Sequence, residues 1–97
     1  PVLESAEPRV GSTVESGIEN VSIKFSADII AESSIISITD TTGAKMNIGE
    51  VHNGIDKSII VTAVKPLNPG EYKVAWNIKC QHCEKPITGS YKFTVNQ

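Results

Sequence analysis

Alternation of apolar and polar residues with a period of two runs through nearly the whole chain, and it constrains the fold more than any other feature. Val21, Ile23 and Phe25 alternate with Ser22 and Lys24, and Ile36 and Ile38 with Ser37 and Thr39. Tyr72, Val74 and Trp76 alternate with Lys73 and Ala75, and Tyr91, Phe93 and Val95 with Lys92 and Thr94. Side chains on a strand point to opposite faces in turn, so each run predicts a strand with one face on a core and the other in water. The denser run Ile59-Ile60-Val61 predicts a more deeply buried strand.

Turn residues separate these runs at the spacing of an all-β domain: Glu7-Pro8, Ser16-Gly17, Thr42-Gly43, Asn53-Gly54, Asn68-Pro69-Gly70 and Gly89. The pattern predicts seven strands, near 1–6, 20–26, 34–40, 45–51, 57–64, 70–79 and 88–96, with a short helical turn within 27–33. Seven short antiparallel strands bury their apolar faces most economically as two packed sheets. The expected fold is therefore all-β: a seven-stranded antiparallel immunoglobulin-like β-sandwich of Greek-key type, one domain over residues 1–97. Phe25, Ile38, Val74, Trp76, Phe93 and Val95 are its expected core residues.

Composition excludes several functions. The formal charge of −2 over 97 residues offers no basic surface for nucleic acid or anionic lipid. No apolar run approaches the roughly 18–20 residues that cross a bilayer, so direct membrane insertion is not expected. No Ser/His/Asp set or paired carboxylates point to hydrolysis, and the chain does not read as an enzyme. It starts Pro1-Val2-Leu3 without an initiator Met. We read that as a processed segment whose export signal has been removed, which places it in the periplasm or elsewhere outside the cytoplasm.

The two cysteines form one Cys80-Gln81-His82-Cys83 segment. This spacing fits a local disulfide, a redox pair or a soft-metal site, and spacing alone leaves all three open. Two thiolates and an imidazole suit copper, and zinc is possible with a further donor. His52, and after it Met46, are the candidates for that extra donor. A redox enzyme ranks last, because reactive pairs of this spacing usually sit at a helix N-terminus and no helical pattern follows Cys83.

Leu67-x-x-Gly70-x-Tyr72-x-Val74-x-Trp76 followed by Pro86-Ile87-Thr88-Gly89-x-Tyr91-x-Phe93-x-Val95 resembles the copper-resistance protein C family. Leu3, Ser5, Pro8, Gly11 and Val14, and then Val21-x-Ile23-x-Phe25-Ser26, resemble the family's opening strands. The resemblance implies a periplasmic copper carrier, often acting beside an inner-membrane protein of the CopD type or another periplasmic copper protein. It also implies a copper(II) site made of an N-terminal His and an Asp-x-His-Pro motif, and in some members a Met-rich loop. This chain departs from that ligand set. Lys85 precedes Pro86, Cys83 falls where the Asp belongs, the segment between Trp76 and Pro86 is about one residue longer, and Met46 is the single Met. The expected function is copper storage, delivery or tolerance through Cys80, His82 and Cys83. The alternative is a metal-free immunoglobulin-like interaction module with a Cys80–Cys83 disulfide.

Overall fold

A computed structural model describes residues 3–80 and 83–96. Eight strands are present: β1 (Leu3–Glu7), β2 (Thr13–Glu15), β3 (Asn20–Phe25), β4 (Ile35–Thr39), β5 (Asn47–Asn53), β6 (Ile59–Val64), β7 (Gly70–Ile78) and β8 (Ile87–Asn96). One turn of 3-10 helix, Ala31–Ser33, lies within the segment expected to be helical. The strands form two four-stranded sheets, in the orders β1-β3-β6-β5 and β2-β8-β7-β4. Apart from β2, this is the sheet division of an immunoglobulin constant-type sandwich. Among the described residues no helix is long and apolar enough to cross a membrane.

The additional strand is β2, and it pairs with β8 in parallel, with Val14 opposite Val95. Thr13-Val14-Glu15 carries one apolar residue, too little for alternation to register, and β8 supplies the hydrogen-bonding partner that makes it a strand. The fifth strand starts two residues later than expected because the chain first follows the other sheet. Lys45 bridges Thr39, and the Met46 N–H donates to the Ile38 carbonyl at 2.7 Å. The Met46 carbonyl then accepts from the Lys65 N–H at 2.8 Å, so this residue stitches the two sheets together. Next to it, the Asn47 side chain accepts from the Ile38 N–H and donates to the Ile36 carbonyl, both at 3.1 Å. That amide occupies backbone positions on β4 which another strand would otherwise fill.

The inward residues of the alternating runs form the core. Phe25, Ile38, Val74, Trp76, Phe93 and Val95 are all buried, as expected. Trp76 meets Phe25 edge to face with centroids 5.8 Å apart and lies against Tyr91 at 6.1 Å. Tyr72, at the start of β7, donates its hydroxyl to the Asn68 carbonyl at 2.7 Å. This is the tyrosine corner of immunoglobulin-like sandwiches, which pins the turn entering the strand.

Candidate functional site

Strand β7 keeps its alternation past its last residue, so Trp76, Ile78 and Cys80 all point inward and Cys80 is 7% exposed. The segment after β3 holds this end in place. Ile29 pairs with Cys80 in an isolated antiparallel bridge, and the Ile30 N–H donates to the Lys79 carbonyl at 2.8 Å. The Asn53 side chain ties the same segment to β5, donating to the Ile29 carbonyl at 3.2 Å and the Lys57 carbonyl at 3.1 Å. The Asn53-Gly54 dipeptide signals a turn in the sequence. Its amide linking three segments has no sequence signature, because the partners are backbone carbonyls.

Beyond Cys80 the chain turns. The Cys83 N–H donates to the Cys80 carbonyl at 3.3 Å, and the two Cα atoms are 5.2 Å apart. An extended strand would send these side chains to opposite faces, so this turn is what lets the sulfurs meet. They are joined as a disulfide. Cys83 is half-buried and rests on the edge of the core, while Glu84, Lys85 and Pro86 are exposed. His82 lies outside the described residues.

The remaining candidate donors are not gathered here. His52 is exposed on β5 opposite Val61, and it lines an open groove of about 560 Å³ with Asp28, Glu32, Glu50 and Lys57. Met46 is half-buried against the core just before β5. Strand β5 bulges between Ile48 and His52, and Met46 packs on the core while His52 is exposed, so the two donors do not converge. Among the described residues no three His, Cys, Asp or Glu side chains are arranged to hold a metal.

The donor chemistry can be tested against the ligand set that the resemblance implies. Lys85 occupies the position of the His before Pro, and an ammonium repels a cation. The residues present therefore do not fit an Asp-x-His copper(II) site. As a disulfide the two sulfurs are not thiolates, and only after reduction do they become soft donors.

A CopC domain model matches residues 3–96. Among solved structures, PcoC from Escherichia coli, described as a methionine-rich copper resistance protein, is 31% identical. The match covers 99% of this chain and 98% of that one, with a TM-score of 0.85. CopC from Methylosinus trichosporium OB3b is 25% identical over 98% of this chain and 92% of that one, with a TM-score of 0.88. The N-terminal part of the bacterial S-layer protein SbsC is 19% identical over 97% of this chain and 23% of that one, with a TM-score of 0.68. That last likeness shows the fold alone. No curated protein matches the chain.

Proposed function

The chain belongs to the CopC domain family, and from that premise we propose that it is an extracytoplasmic copper-binding protein serving copper storage, delivery or tolerance. The ion is its cargo, taken up by Cys80, His82 and Cys83 on the loop where Lys85, not His, precedes Pro86. One observation carries the reading. The loop before Pro86-Ile87-Thr88-Gly89 brings Cys80 and Cys83 within 5.2 Å at Cα, so two reduced thiols there converge on one point. His82 lies between them in sequence and is the third donor of the proposed set. Two thiolates and one imidazole make a low-coordinate, soft set that favours copper(I). The relatives described as copper resistance proteins support copper rather than zinc. Cysteines able to join as a disulfide fit a compartment outside the cytoplasm, and a CopD-like membrane protein or a second periplasmic copper protein would exchange the ion.

The test is copper(I) binding by the reduced protein against a competing chelator, for wild type, Cys80→Ser, His82→Ala and Cys83→Ser. Each substitution should weaken binding. Wild-type affinity in all three variants would sink the reading. The disulfide itself favours what would then replace it, a metal-free interaction module with its last loop held by Cys80–Cys83.

A further inference from the structure

The two sulfurs of the loop have unequal surroundings. Cys80 is 7% exposed, bridged to Ile29, and anchored through the Lys79 carbonyl. Cys83 is half-buried and is followed by three exposed residues. We propose that Cys80–Cys83 is a reversible dithiol–disulfide switch that governs soft-metal uptake, and that a small dithiol reductant opens it by attack at Cys83. This proposal rests on the copper reading above, since it regulates the same site.

Accessibility decides the direction of the exchange. The reductant's first thiolate attacks the Cys83 Sγ, forming a mixed disulfide and releasing Cys80 as thiolate. The reductant's second thiolate then attacks its own sulfur in that mixed disulfide. Cys83 leaves as thiolate and the reductant departs as its cyclic disulfide. Two electrons pass to the protein, and each cysteine takes a proton when no cation is bound. Oxidation by a disulfide of the same class reverses both steps. In the oxidised state neither sulfur carries the charge that a soft cation requires, so the loop is closed to copper(I). The bridge to Ile29 would hold Cys80 after reduction as well, leaving the more exposed Cys83 as the half of the pair that adjusts around an ion.

The experiment uses the full chain in its native, oxidised form, without oxygen. Graded dithiothreitol is added without denaturant and then removed by anaerobic gel filtration. Free protein thiols are counted, and copper(I) transfer from a chromogenic chelator is followed in the reductant-free samples. Two thiols should emerge together, and stoichiometric copper(I) uptake should rise in proportion and be lost on reoxidation. A Cys80→Ser/Cys83→Ser variant should show no dependence on dithiothreitol. With single variants, Cys83 in Cys80→Ser should alkylate faster than Cys80 in Cys83→Ser, with circular dichroism confirming that both are folded. If the disulfide resists dithiothreitol in the native protein, while protein reduced in urea and refolded binds copper(I), the switch is refuted and the copper reading stands. If reduction proceeds but uptake does not follow, both fail. Faster alkylation of Cys80 would overturn attack at Cys83.

Discussion

Gly89 lies directly opposite Trp76 across the β7–β8 pair, and a Cβ added to Gly89 would come within 2.5 Å of the indole Cζ2 and 2.8 Å of Cε2. The glycine is there for space: the indole lies over its backbone where any other residue would carry a side chain. Gly89→Ala should therefore destabilise the domain by about 1–3 kcal/mol, the usual cost of overpacking. Trp76→Ala should cost about 3–5 kcal/mol, as expected for removing a buried aromatic. The two effects should be strongly non-additive, because Trp76→Ala removes the group that the new methyl strikes. Urea denaturation of both single variants and the double variant checks this. Additive costs would show that the indole does not constrain position 89.

Tyr91 gives a pH-dependent prediction. Its hydroxyl is buried and has no hydrogen-bond partner among the described residues. Burial, and secondarily the negative charge of Glu7, raise its pKa well above the ordinary 10.0. The folded state thus keeps a proton that the unfolded chain releases near pH 10. Stability from this group is complete below that pH and is lost as pH rises above it. Tyr72 shifts the same way, mainly through burial. Tyr91→Phe should leave stability at neutral pH unchanged or raised, within about 1 kcal/mol, because it deletes an unpaired polar atom. It should also lessen the fall in stability above pH 10, which thermal melts across that range would reveal. A large loss at neutral pH would mean that the hydroxyl has a partner after all.

The Asn47 amide makes two bonds to the edge of β4, to the Ile38 N–H and the Ile36 carbonyl. Asn47→Ala leaves both backbone groups without that partner and should cost about 1–3 kcal/mol. It also uncovers a strand edge that another chain can pair with. Chemical denaturation should show the loss, and light scattering should show association that grows with protein concentration. A variant as stable and as monodisperse as wild type would show that water replaces the amide without cost.

Lys85 beside Pro86 predicts the fate of copper(II). With both cysteines alkylated, titration of copper(II) should show no tight stoichiometric binding, because the Asp-x-His pair is missing and an ammonium stands in its place. Isothermal calorimetry is the check. Nanomolar binding to alkylated protein would place a copper(II) site on other residues.

The sequence by itself determined the sandwich and its core. Period-two runs in β3, β4, β7 and β8 fix which side chains face inward, because alternation is a local property of extended backbone. Phe25, Ile38, Val74, Trp76, Phe93 and Val95 were legible for that reason. Strand β2 was not, since a three-residue strand with one apolar side chain exists only through its parallel partner β8. Nor was the crossing at Met46 and Asn47, where the chain bonds first to one sheet and then to the other. For the candidate site, the sequence supplied the donor types and the spacing of Cys80 and Cys83. Only the tertiary structure decided that the chain turns there, that Ile29 anchors Cys80, and that His52 and Met46 lie near opposite ends of β5. Those outcomes depend on pairing between segments distant in sequence, and local alternation carries no information about such pairing.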